Sequence, residues 1–440
     1  MWSDNSILYQ VYSLGMCGAP KENDGHLVPR ILKILDWLPH LQKLNVDTLY
    51  FSPIFESDRH GYDTRDYRKI DCRLGTNDDF SYVCKILKEN GFRIILDGVF
   101  NHVGRGFWAF QDVLQNKDHS PYKDWFCIDF GRNSCYDDGF YYEGWEGHYE
   151  LVKLNLSNPK VREHLFSCIR FWVDTFHVDG LRLDVAYCLD LEFLCCLREF
   201  CNELKPDFLL IGEILFGDYR RILNSRMLQS CTNYECYKGL YSSFNDLNLF
   251  EIAYSLNRQF GEEGGLYRGE HLLCFADNHD VTRVASILKE PSHLPLLYGI
   301  LFSMPGIPCI YYGSEWGILG KKENGSDDAL RPALSSPQWN DLTDLISSLA
   351  FLHKHYKSLS QGNYKTIYLT NRQFVFQRRF DEDCIAIAIN ADTEEHAADM
   401  QKAEISCNGE LTELLTGNTI SCINGKLRLP PLSLQLLKLS

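Results

Sequence analysis

The sequence predicts an α/β chain folded as a (β/α)8 TIM barrel, with an insertion between its third strand and third helix and an antiparallel β domain at its C-terminal end. Three observations carry that expectation. Short apolar strand patterns alternate with helical ones as far as about residue 355. Four of those strands, DGVFNHVG at 97–104, GLRLDVAY at 180–187, LLIGEIL at 209–215 and FADNHDVTR at 275–283, deliver a carboxylate, with a His or Arg close by in most. From about residue 363 the pattern changes to period two, as in FVFQRRF and CIAIAIN. A strand covered on both faces stays apolar until it leaves the core. Several such strands ending in acids therefore describe a site at the mouth of a parallel barrel.

The elements follow in order. Candidate strands are 7–12 (ILYQVY), 48–54 (TLYFSPI), 93–100 (RIILDGVF), 180–186, 208–214, 272–279 and 306–313 (GIPCIYYG), with a less distinct one within 231–244. Between them, Asp78 reads as the N-cap of a helix carrying Phe80, Val83, Cys84 and Leu87 on one stripe and ending at Gly91. Asn158-Pro159 caps and opens another, with Val161, Leu165, Cys168 and Trp172 on its apolar face. Seven or eight such units fit a closed barrel better than an open doubly wound sheet, and no GxGxxG follows the first strand. Residues 1–102 and 155–360 are expected to form the barrel, 103–154 an aromatic-rich insertion, and 361–440 the C-terminal β domain. An insertion of that length is usually functional, although its aromatic residues could equally pack a small core of their own.

Composition narrows the partners. At 440 residues the chain exceeds one ordinary core, and its 45% apolar residues describe a globular protein. A net charge of −15 with no Lys/Arg runs is the wrong sign for a phosphate backbone, so nucleic acid is excluded as a partner. No apolar stretch reaches ~18 residues, and the first residues, MWSDNSILYQVY, lack the pattern of a secretory signal. No membrane association and a cytoplasmic location are expected. The 17 cysteines show no zinc-site spacing, and most stand at apolar helix or strand positions. They read as buried reduced thiols used as small hydrophobes.

With these motifs in place, the chain resembles the α-amylase family of retaining glycoside hydrolases, family 13. The resemblance starts at YQVY (9–12), passes through SPIFESDRHGYDT (52–64) and the four acid-bearing segments, and reaches PGIPCIYYGSE (305–315). It implies that the insertion is the family's domain B and the C-terminal part its domain C. LVKLNLSNP at 151–159 and DVAYCLDLEFL at 184–194 are similar to signatures of the neopullulanase and cyclomaltodextrinase branch. Two departures stand out: Leu151-Val152 replaces that branch's Met-Pro, and its N-terminal β domain has no counterpart here. A monomer is the expectation that follows.

The resemblance implies roles for named residues. Asp184 would be the nucleophile and Glu213 the general acid, then base, of a retaining mechanism. Arg182, two residues before Asp184 on the same strand face, would keep it ionised, while no local cation accompanies Glu213. Asp280 would stabilise the transition state, His102 and His279 would bind hydroxyls of the same sugar, and Tyr62 would stack on it. Asp63 is expected to pair with an Arg and Trp145 to offer a sugar contact. Asp97 is implied to hold neighbouring loops. Asn101 ligates Ca2+ in many relatives, but the other ligands are not legible, so no metal or other cofactor is assigned. The implied substrate is an α-glucan oligosaccharide cleaved at α-1,4 bonds. Alternatives are an α-1,6-acting or transglycosylating relative and, more remotely, a non-catalytic binding barrel.

Overall fold

The computed structural model describes residues 1–403 and 409–439. Eight parallel strands make the barrel: β1 (Leu8–Val11), β2 (Thr48–Phe51), β3 (Arg93–Gly98), β4 (Gly180–Leu183), β5 (Leu209–Gly212), β6 (Ser230–Cys231), β7 (Leu273–Phe275) and β8 (Ile307–Tyr311). Neighbours in sequence pair from β1 to β6, β8 pairs with both β7 and β1, and the bridge Thr232↔Leu273 closes the ring between β6 and β7. The sixth strand corrects the sequence reading. Only two residues pair with β5 before the chain turns into the helix Tyr234–Asn245, whose Cys236, Leu240 and Phe244 recur at helical spacing and are buried. Asn233 caps that helix by accepting the N–H of Cys236, so helical periodicity and a cap outweigh strand propensity here.

The helix Pro159–Phe176 starts where the sequence places it, with the Asn158 side chain accepting the N–H of Lys160. Its predecessor starts earlier than Asp78. Thr76 is the N-cap of Asn77–Glu89, accepting from the Asp79 N–H at 3.1 Å, while Asp79 accepts the Thr76 N–H at 2.8 Å. That reciprocal pair satisfies two orphan donors, where a single Asp would satisfy one.

Alternation along each strand sorts the barrel residues. Tyr9, Leu49, Ile94, Leu96, Leu181, Leu183 and Leu210 pack outward among the helices. Leu8, Tyr50, Ile95, Leu209, Ile211, Leu273, Phe275, Ile307 and Cys309 form the inner core. Moving up the inward rank, apolar residues give way to polar ones: Ile95 to Asp97 on β3, Gly180 to Arg182 and Asp184 on and just past β4, Ile211 to Glu213 on and just past β5. Arg182 is in register with Asp97 on one side and Ile211 on the other. A period of two thus puts every one of these polar side chains over the same end of the barrel.

The C-terminal sheet is antiparallel and eight-stranded. Its central strand, Asp383–Asn390, pairs with Gln373–Phe380 and with Ser433–Lys438. Alternation is present in CIAIAIN, but not as apolar against polar. Ile385, Ile387 and Ile389 face the barrel's core, and Cys384, Ala386 and Ala388 belong to a second core on the far side. All 16 cysteines among the described residues are free thiols, most of them buried. Among the described residues no helix is long and apolar enough to cross a membrane.

One buried histidine makes stability pH-dependent. His353, fully buried, donates from Nδ1 to the Phe302 carbonyl at 2.8 Å, and its Nε2 has no partner. Burial first, then the nearby Arg378, His271 and Lys354, push this imidazole down to about 4, although the Phe302 bond opposes them. The unfolded chain takes up that proton near pH 6.5, so this group costs nothing above that pH and stability falls as pH drops from about 6.5 towards 4. The expected loss is of the order of 3 kcal/mol. Thermal melts of His353→Gln should therefore decline less steeply than wild type between pH 7 and 5; equal slopes would remove His353 as the cause.

Candidate active site

Arg182 is the centre of the site. One guanidinium nitrogen meets Asp97 at 2.8 Å and Asp184 at 2.9 Å, and the other meets Glu213 at 2.8 Å. Asp184 is 6% and Glu213 5% exposed, so these contacts are made with little screening by water. The sequence expectation that Glu213 lacks a cation is corrected. Arg182 belongs to the adjacent strand, and only the closure of the barrel brings its second nitrogen to Glu213. The other Glu213 oxygen accepts the backbone N–H of Val185 at 2.9 Å.

Asp97 is a hub as well. Besides Arg182 it accepts hydroxyls from Tyr50 at 3.0 Å and Tyr62 at 2.9 Å. The Tyr62 hydroxyl also contacts His279, whose ring lies parallel to it with centroids 5.4 Å apart. His279 Nδ1 faces the Gln10 amide nitrogen at 2.8 Å, which places the ring proton on Nε2, 3.0 Å from Asp280. Tyr62 thus presents a ring whose orientation is fixed at its hydroxyl end.

His102 offers an unused donor. Its Nδ1 faces the Asn101 amide nitrogen at 3.1 Å, which leaves the proton on Nε2. That atom has no hydrogen-bond partner and lies 3.8 Å from Asp184. Burial pushes the His102 imidazole down to about 3, so it enters the site neutral. Gly104 explains how the motif gets this close. A Cβ there would meet the Asp63 carbonyl oxygen at 2.4 Å, so only glycine lets the His102 segment lie against the Tyr62–Asp63 turn.

Charge separates the acids. Burial is the largest influence on both Asp184 and Glu213 and raises both carboxyls, with Arg182 opposing it. Each feels the other carboxylates of the cluster, so the pair keeps a proton at pH values where a free carboxyl has lost it, and it releases its protons in two coupled steps. Asp280 behaves oppositely. Burial works against its charge, but His279 and Arg331, the latter at 2.9 Å, hold it well below the usual carboxylate range.

Tyr62, His102, Asp184, Glu213 and Asp280 line one cleft of about 1780 Å³, and Asp97, Arg182 and His279 hold them from behind through Tyr62, Asp184 and Asp280. Trp145 stands on its wall, with its ring 5.7 Å from His102. Asp63 also lines it, but its expected Arg partner is replaced by the backbone: it accepts the N–H groups of His60 at 3.2 Å and Gly61 at 3.1 Å. Much of the aromatic insertion packs on itself, since Phe110, Phe126, Phe140 and Tyr142 are buried together. Asn101 spends its amide on His102, as above. The described residues bring Glu56, Asp71 and Cys72 within ligand reach of one another. That group is already neutralised by Arg73 on Asp71 and Lys69 near Glu56, so it carries no metal assignment.

Three contributors had little or no sequence signal. Arg331, from ALRPAL, donates to Asp280 at 2.9 Å and to the His279 carbonyl at 3.0 Å, and also holds Asp327. Tyr50 looked like one more apolar strand residue. Gln10, in YQVY, is buried and aims its amide at His279. Only the aromatic-polar alternation of YQVY hinted at an inward polar residue.

Comparison with known proteins shows the family. Residues 22–344 match the family model described as alpha amylase, catalytic domain, and residues 362–430 the alpha-amylase C-terminal domain. A cyclomaltodextrinase of Bacillus sp. is 29% identical over 90% of this chain and 74% of the relative. Neopullulanase 2 of Thermoactinomyces vulgaris is 29% identical over 97% of this chain and 76% of its own. Among solved structures, the cyclic alpha-maltosyl-(1→6)-maltose hydrolase of Arthrobacter globiformis superposes with a TM-score of 0.84, at 26% identity over 99% of both chains.

Proposed function

Since the chain belongs to the α-amylase family of glycoside hydrolases, family 13, we propose that it hydrolyses α-1,4 bonds of short maltooligosaccharides with retention of configuration. The observation that carries this reading is the convergence of Asp184 and Glu213 on the two nitrogens of one buried guanidinium at the base of the cleft. Asp184 attacks the anomeric carbon while Glu213 gives its proton to the departing glycosidic oxygen. Glu213, now a carboxylate, then takes a proton from the water that releases the sugar from Asp184. The division requires the proton of that pair to reside on Glu213, with Asp184 charged beside Arg182.

Asp280, kept ionised, supports the positive charge that develops on the ring. The free Nε2 donor of His102 binds a hydroxyl of the same sugar, His279 orients Asp280, and Tyr62 stacks on the ring. In this reading residues 103–154 act as domain B and close one wall of the cleft through Trp145 and Leu151. The relatives' names point the same way, since cyclomaltodextrinase denotes action on small cyclic glucans. The set of reduced thiols supports a cytosolic site of action, where such oligosaccharides would be met in solution.

A second reading has its own support. The structural neighbour that matches 99% of both chains is named for a substrate containing an α-1,6 link. Product chromatography with maltotriose, maltoheptaose, γ-cyclodextrin, soluble starch, pullulan and isomaltose decides between them, with Glu213→Gln as the control. Rapid cleavage of the short α-1,4 oligomers or cyclodextrin, with slow action on starch, is the expected result. Turnover confined to isomaltose or to the branch points of pullulan would move the activity to α-1,6 bonds.

A further inference from the structure

The residue after Asp184 has an unusual backbone. Val185 adopts φ 40° and ψ 47°, the left-handed region, and it is β-branched. That combination is costly, because the branched side chain crowds the peptide on both sides. Among the described residues it is the only valine, isoleucine or threonine with positive φ; the other non-glycine ones are Asn, Asp, Leu, Lys, His or Glu in turns and helix ends. Nothing in the turn chemistry calls for a valine there. What the conformation achieves is visible in the hydrogen bonds. The chain must leave β4 and enter the short helical turn Ala186–Cys188. In doing so it turns the Val185 N–H away from the β3–β4–β5 ladder and onto Glu213 Oε2, at 2.9 Å in a buried setting. The preceding N–H, that of Asp184, still pairs with Gly98 O at 3.1 Å, and the Glu213 N–H pairs with Leu183 O at 2.9 Å. The reversal at Val185 is thus a single-residue event at the join between the proposed nucleophile and the proposed acid.

We propose that Val185 is a positioning residue whose strained backbone aims its amide proton at Glu213, fixing the rotation of that carboxyl and tuning how readily it holds its proton. This rests on the reading of Glu213 as the proton donor. With Oε2 held by the Val185 N–H and Oε1 by Arg182, the carboxyl cannot turn about its last torsion without losing two charge-assisted bonds. The same N–H favours the carboxylate, so it works against the upward push of burial. Its removal should leave Glu213 protonated to higher pH.

The test replaces the Val185 amide by an ester, incorporating the α-hydroxy acid analogue of valine so that the side chain stays and only the N–H goes. The alkaline limb of the kcat/KM–pH profile on maltotriose should move up by about one pH unit, the shift worth roughly one charge-assisted hydrogen bond. Val185→Gly, which keeps the N–H and removes the steric cost of positive φ, should leave that limb in place. It also serves if the ester protein does not fold: a limb that moves in Val185→Gly would overturn the proposal, because the donor is still there. An unmoved limb in the ester protein would overturn it too. Glu213→Gln assayed alongside separates the two failures. A dead Glu213→Gln with an unmoved ester limb sinks only the role of Val185, whereas an active Glu213→Gln sinks the assignment of the proton donor and this proposal with it.

Discussion

Asp184→Asn should lower kcat on maltotriose by about 10⁴-fold or more, because the amide cannot form the glycosyl-enzyme bond that splits the displacement in two. The substitution keeps the shape of the side chain, and a carbonyl oxygen can still accept from Arg182, now 2.9 Å from Asp184. Folding should therefore survive, and circular dichroism and the melting curve should be close to wild type. Glu213→Gln should differ in kind. On a glucosyl fluoride, whose leaving group needs no proton, Glu213→Gln should retain the first step, while Asp184→Asn should fail on both substrates. If the two variants responded alike to the fluoride, the division of labour between these carboxyls would be wrong.

The second large effect is expected at Arg182. Arg182→Met keeps much of the apolar stem but leaves Asp97, Asp184 and Glu213 without the cation they share. Breaking a buried ion pair by removing one partner costs about 3–5 kcal/mol, and here three carboxylates lose theirs. The sign of the pH dependence follows. Burial already raises the Asp184 and Glu213 carboxyls against the opposing pull of Arg182, and without that pull they are raised further, so the variant's stability is fully present below about pH 4 and is lost more steeply than wild type's as pH rises through the raised values. Wild type and variant should therefore melt closest together at acid pH and furthest apart near neutrality. A constant gap in Tm from pH 4.5 to 7.5 would show that Arg182 acts through packing and not through charge.

Arg182 also shows what a linear reading could and could not see. That it lies on the same strand face as Asp184 follows from a period of two, and their contact confirms it. That it lies equally against Glu213 depends on β4 and β5 being neighbours in register, Arg182 beside Ile211. The sixth strand was obscure for a related reason. Two pairing residues are too few to leave a periodic pattern, and the helix Tyr234–Asn245 that follows imposes its own. The arginine partner that the family resemblance implies for Asp63 is not found because the tight turn at 60–63 offers that carboxylate two backbone N–H groups.

The sequence by itself determined the alternation of strand and helix, the end of the barrel at which the acids emerge, the period-two C-terminal sheet and the thiol character of the cysteines. Each of these depends on interactions between residues close in the chain, or on the average burial of a strand face. Tertiary structure alone decided which cation serves which acid, that Arg331 holds Asp280 from a segment about fifty residues away, that CIAIAIN is buried on both faces, and that Val185 turns its N–H onto Glu213. Those outcomes depend on distances between segments remote in sequence. Buried charge interactions rise steeply as separation and hydration fall, so they take definite values only when the barrel closes and water leaves.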